Sequence, residues 1–237
     1  MLRYSAILRF ALFVLVAYAA ITMLWMIPSF QSGYARYFRS FGDAAFSQFW
    51  FWPDARIRFL DAGSSTLTAD INAVLPGKLP EGFKPPGERG EKDTLMIFLN
   101  KNVPSKPGFF RTASRLIGFA PTAVLIALCV ATPVPWRRRV GVLVVGFVFV
   151  HLFILLRMTI LALKNGFADA SKGFALFNPG PWTNDLLRRL DIILTDNPTF
   201  AYLASVFLWL ITLFLIEQWF AFRKKPSLLG GDGPSEP

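Results

Sequence analysis

Apolar positions in this chain fall into four long runs rather than short periodic clusters. Phe10–Ile27, Leu116–Val134, Val140–Leu163 and Thr199–Phe222 are each about the ~20 residues an α-helix needs to cross a bilayer's hydrocarbon core. The middle two are pinched around Pro135-Trp136-Arg137-Arg138-Arg139 and read as a helical hairpin over residues 113–163. Three arginines in a short turn cannot sit in lipid, and short loops rich in Lys and Arg stay on the cytoplasmic side. Arg3 and Arg9 before the first run, and Arg223-Lys224-Lys225 after the last, fall on that same side if there are four spans. Ala17-Tyr18-Ala19 has the look of a signal-peptide cleavage site. The apolar run continues past it through Ile21–Ile27, as an uncleaved first helix (1–27) would.

Between the first two runs the pattern changes. Ser29–Trp52 is rich in aromatics, with Arg36 and Arg39 interleaved. Its spacing predicts an amphipathic helix, either lying in the membrane interface or packed on the domain that follows. Ala55–Phe59 alternates apolar and basic residues, Leu67–Ala73 alternates apolar and polar ones, and Thr94–Leu99 is apolar throughout. These read as three strands of a small antiparallel sheet. Leu75–Asp93 is a Pro/Gly-rich loop, and Asn100–Phe110 a connector into the hairpin. Residues 164–198 form a second outer loop with an amphipathic helix at Asn184–Leu194. After the fourth helix (199–225), the tail 226–237 has a disordered composition. The predicted fold class is membrane α-helical: four transmembrane helices, with a small periplasmic β-containing (α+β) insertion over 28–112 between helices 1 and 2. The expected location is a bacterial inner membrane, multi-pass, with both termini cytoplasmic.

Composition agrees. Of 237 residues 54% are hydrophobic and 25 are Phe, and mean hydropathy is +0.44, far from a soluble domain. A net charge of +10 would suit nucleic acid, but the basic residues cluster at helix ends and serve topology, so the bilayer is the expected partner and nucleic acid is not. One Cys and one His offer no disulfide framework, no metal site and no cofactor signature.

One residue breaks the apolar rule. Arg157 lies in the third run, about 25 Å up the helix from the arginine turn at ~1.5 Å per residue. It is either a functional group or a side chain snorkelling to the outer headgroups. The antiparallel hairpin brings Arg111, Ser114 and Arg115 to its level. Such a cluster can bind a carboxylate or a phosphate, or simply anchor the helix. His151, six residues before Arg157, faces another side of the helix; it is either packed against a neighbour or part of a relay, and no mid-membrane carboxylate completes a relay. Glu217 sits near the cytoplasmic end, paired with Arg223–Lys225 or with water. Cys129 is about 15 Å from Arg157 in depth, too far for a nucleophile and its partner, and reads as a core residue.

Ala131-Thr-Pro-Val-Pro-Trp-Arg-Arg-Arg139, then an apolar run, then Leu155-Leu-Arg157-Met resembles the core hairpin of the exosortase/archaeosortase family of membrane transpeptidases. The similarity covers about 50 residues. It implies that Arg157 matches the family's arginine. The family's catalytic Cys and His do not transfer: residues 112–114 read Thr-Ala-Ser, and 164–198 contain no His. The resemblance therefore implies a non-catalytic relative that accompanies an exosortase or a sorted surface protein. A divergent transpeptidase using Ser114 and Arg157 is the alternative, with no general base apparent near Ser114. A small-molecule or lipid carrier is a third reading, disfavoured by the lack of mid-membrane carboxylates.

Overall fold

The computed structural model describes residues 2–47, 55–75, 93–100, 108–167 and 180–224. The aromatic residues Phe49–Trp52, most of the Pro/Gly-rich loop and the tail 226–237 lie outside that set.

Three helices are long and apolar enough to cross a membrane. They are Ile7–Leu24 within α1 (Leu2–Leu24), Trp136–Asn165 along α5 (Trp136–Ala162), and Thr199–Phe220 within α7 (Pro198–Lys224). The fourth apolar segment is shorter: Arg115–Ala131, a π turn (Arg115–Phe119) running into α4 (Ala120–Ala131). It stops before the expected Val134 because Thr132 is extended (ψ 125°) and precedes Pro133, which disfavours helix at the residue before it. The three tip arginines are not in the turn between the helices. They form the first turn of α5, where the helix dipole is unfavourable to cations. Two of them find compensation: Arg138 pairs with Glu217 of α7, and Arg139 donates to the Thr132 carbonyl (3.0 Å) at the end of α4. Helix α4 is the hub, touching α1, α5 and α7.

The insertion is a three-stranded antiparallel sheet, β1 (Ala55–Asp61), β2 (Thr94–Asn100) and β3 (Gly108–Thr112), in that spatial order. Central β2 is buried on both faces, which is why it reads as an uninterrupted apolar run. On one face Ile57, Phe59, Met96 and Phe98 join Phe38 and Phe46 of α2 (Pro28–Phe46) and Ile117, Ile154, Met158, Leu161 and Ala162 of the hairpin. On the other, Leu95 and Ile97 are covered by α3 (Leu67–Val74). Arg56 and Arg58 of β1 stand exposed, Arg58 within 3.5 Å of Asp43 on α2.

Two strand assignments change. Leu67–Ala73 is helical, since the 67/71/75 spacing of apolar residues also fits one helix face, and the helix buries Leu67, Ile71 and Leu75 together against the sheet. The third strand is instead Gly108–Thr112, part of the expected connector, paired to β2 from Thr94↔Thr112 to Phe98↔Gly108. Helix α2 packs on the sheet through Ala35, Phe38, Gly42 and Phe46. Gly42 is required by the close approach: a Cβ there would lie 2.9 Å from the Phe59 ring. The outer-loop helix is α6 (Pro181–Asp191), continued by a π turn, Ile192–Asp196.

Candidate functional site

The sheet, α2 and the upper ends of α4 and α5 converge where Arg157 sits. Arg157 does not snorkel. It is 1% exposed and turns inward toward α4. Its Nη1 donates to the carbonyls of Leu116 (2.9 Å) and Ile117 (3.1 Å), and Nη2 reaches the Thr195 carbonyl (3.4 Å). The reason lies four residues on. An amide at position 121 would donate to Ile117 in α register or to Leu116 in π register, and Pro121 has no N–H. A buried carbonyl without a donor costs about 1–3 kcal/mol, so the guanidinium from the neighbouring helix replaces what proline removed. The Phe153 ring lies beneath it, 5.8 Å from the guanidinium carbon. From the α7 side, Ser205 donates to the Pro121 carbonyl (3.0 Å) and to that of Ala201 (2.9 Å). Arg157 Nε is buried without a hydrogen-bond partner among the described residues, as are Asp191 Oδ1 and Thr195 Oγ1 nearby in sequence to its other contacts. Asp191 itself, 2% exposed, is paired with Lys164.

Ser114, fully buried, serves a different junction. Its amide and its Oγ both donate to the Asp93 carboxylate (2.9 and 2.5 Å), which also accepts from Thr94 Oγ1 (3.0 Å). Asp93 thereby ties the start of β2 to the N-terminus of the hairpin's first helix, where a negative charge is favoured. A carboxylate therefore does lie beside Ser114, contrary to the sequence reading. No solvent reaches the hydroxyl, however, and neither Ser114 nor Arg115 is among Arg157's hydrogen-bond partners. Arg111 lies on β3 opposite Leu95, with its Nε buried and without a hydrogen-bond partner among the described residues. Arg115 is exposed, at the boundary of apolar helix and polar domain, and its guanidinium sits 6.0 Å from the Trp25 ring. Next to it Arg39 bridges Asp61 (2.8 Å).

His151 is bonded on both sides. Its Nδ1 donates to the Phe147 carbonyl (2.7 Å), which can only accept, so Nε2 accepts from the Tyr37 hydroxyl (2.7 Å) of α2. Phe41 and Phe147 rings flank it. It pins α2 to α5. One turn away, Tyr34 packs against Phe119 and sits where a Cβ on Gly118 would come within 2.6 Å of its hydroxyl; burial raises the phenol's pKa above the ordinary value. Cys129 is buried with Leu125, Val142 and Val150 at the α4–α5 contact, among apolar side chains. Glu217 takes Arg138 as a partner, through both carboxylate oxygens (2.9 and 3.1 Å); the side chains of the expected partners Arg223–Lys225 lie outside the described residues.

The five candidate residues thus divide into separate jobs: Arg157 on helix carbonyls, Ser114 on Asp93, His151 on Tyr37, Arg111 in the sheet, Arg115 at the surface. Asp93 and Pro121 were missed. Pro121, in the first half of an apolar helix, was the readable sign that a carbonyl one turn earlier lacks its amide donor. No family model matches the chain, and no curated protein or solved structure matches it either.

Proposed function

We propose that this chain is a non-catalytic inner-membrane protein of a Gram-negative-type bacterium that assists exosortase-type sorting of surface proteins, or envelope assembly, by binding a partner. In this reading Arg115–Ala131 is the second of four spans, at the short end of spanning lengths. Both termini are then cytoplasmic, and the α2–sheet–α3 domain is periplasmic, offering a partner the exposed Arg56 and Arg58 edge. The observation that supports it most is the fate of Arg157. The residue that matches the transpeptidases' arginine turns its Nη donors to the protein's own backbone carbonyls.

The contact between Ser114 and Asp93 favours a second reading, a divergent transpeptidase, and one experiment separates the two. In a host whose own copy is deleted, Ser114→Ala is supplied in trans and processing of sorted surface proteins is followed by gel shift. The accessory role expects processing to fall on deletion and to be restored by Ser114→Ala. Lost processing with the variant at wild-type level in the membrane would establish the enzyme instead. Unaltered processing in the deletion strain would remove the sorting role.

A further inference from the structure

Helix α6 and the π turn that follows it are strung between two spans. The apolar stretch along α5 ends at Asn165 and that of α7 begins at Thr199, so what joins them starts and finishes at one membrane surface. Two contacts fix the depth of α6 there. Asp191, its last residue, is 2% exposed and pairs with Lys164, one residue before the α5 stretch ends. Four residues on, the Thr195 carbonyl accepts from Arg157 (3.4 Å). The end of α6 is therefore level with the end of the apolar stretch of α5.

Around its axis α6 has three faces, at about 100° per residue. Leu187 and Asp191 turn into the protein and are buried. Trp182, Leu186 and the half-buried Leu190 recur every four residues as an apolar stripe, with Trp182 76% and Leu186 38% exposed. Ile192 (50%) and Ile193 (47%) carry exposed apolar surface on into the π turn. Arg188 is exposed about 160° from the middle of the stripe, and Arg189, at its rim, pairs with Asp185. Eleven residues with this much charge are too short and too polar to cross a bilayer. A short helix with one apolar face, an exposed tryptophan and arginines on the rest suits the boundary between headgroups and acyl chains.

We propose that α6 is an interfacial anchor lying in the plane of the membrane, with Trp182, Leu186 and Ile193 sunk among the upper acyl chains and Arg188 turned to water. The bilayer is its partner because the stripe runs on, through Ile193 and six residues of chain, into the lipid-facing surface of α7. The anchor rests on the reading of α5 and α7 as spans and is independent of any sorting role.

The test places single nitroxide labels on the full chain in a Cys129→Ala background, through Leu186→Cys, Ile193→Cys, Arg188→Cys and, on α7, Phe207→Cys. The chain is reconstituted in vesicles of phosphatidylethanolamine with phosphatidylglycerol, and collisions with oxygen, which enters lipid, are compared with those of a water-soluble nickel chelate. Labels at 186 and 193 are expected to lie about 5–10 Å below the phosphates, with an oxygen-to-nickel ratio about fivefold or more above that at 188. Equal ratios at 186, 193 and 188, with 207 in lipid, would overturn the anchor and leave the spans intact. A label at 207 open to the nickel chelate would overturn the spans and the anchor with them. Exclusion of both probes from 186 and 193 would give the stripe to a protein partner, and spin–spin broadening there to a second copy; either overturns the anchor.

Discussion

Helix α4 has two flanks at its upper end, and they treat arginine in opposite ways. On the α5 flank Arg157 is sealed, 1% exposed, with its Nη groups donating to the Leu116, Ile117 and Thr195 carbonyls. On the α1 flank Arg115 is exposed beside the Trp25 ring. Both are arginines at the end of an apolar helix, and by composition alone both are helix anchors. What separates them is the backbone. Where a helix has lost an amide, the guanidinium is drawn in as a replacement donor; where the helix has its own, the guanidinium stays at the surface.

The largest test of that contrast is removal of each side chain in turn. Arg157→Met takes this donor from the buried Ile117 carbonyl and the part-buried Leu116 carbonyl and is expected to cost about 2–5 kcal/mol, read from thermal unfolding in detergent. Arg115→Met should stay within about 0.5 kcal/mol in the same assay. Equal losses at the two positions would end the distinction. Gly118→Ala comes next, because its methyl would press on Tyr34 and Phe38 where α2 crosses the helix; about 1–3 kcal/mol is expected. The sharpest test is the smallest. Pro121→Ala restores an amide, so placed on Arg157→Met it should recover about 1 kcal/mol, while alone it changes little. Additive effects in that double-mutant cycle would show that the proline and the arginine are unrelated.

Much of this was readable from the chain. The long helices follow from run length, because nothing but an apolar face survives in lipid. Arg157 stood out for the same reason, though its role did not. Backbone carbonyls leave no residue signature, and only the missing N–H of Pro121 betrayed them. Leu67–Ala73 was ambiguous in principle: seven residues are too few to separate period 2 from period 3.6 when Leu67, Ile71 and Leu75 satisfy both. Gly108–Thr112 is a strand chiefly because β2 needs a second neighbour, a tertiary cause that no local pattern records. The Asp93–Ser114 contact joins residues 21 apart in sequence, and nothing in either local segment announces it.

The sheet's membrane-side cluster has a consequence for how such a chain is made. Five of its twelve buried members, Ile117, Ile154, Met158, Leu161 and Ala162, come from the hairpin. The insertion closes only one face by itself, with α3 over Leu95 and Ile97, and a fragment ending at Thr112 would leave Met96 and Phe98 with α2 as their cover. During synthesis α2 and the strands emerge first, and the face bearing Met96 and Phe98 is completed only when the chain has reached Ala162. Completion of the sheet domain is thus timed by arrival of the hairpin.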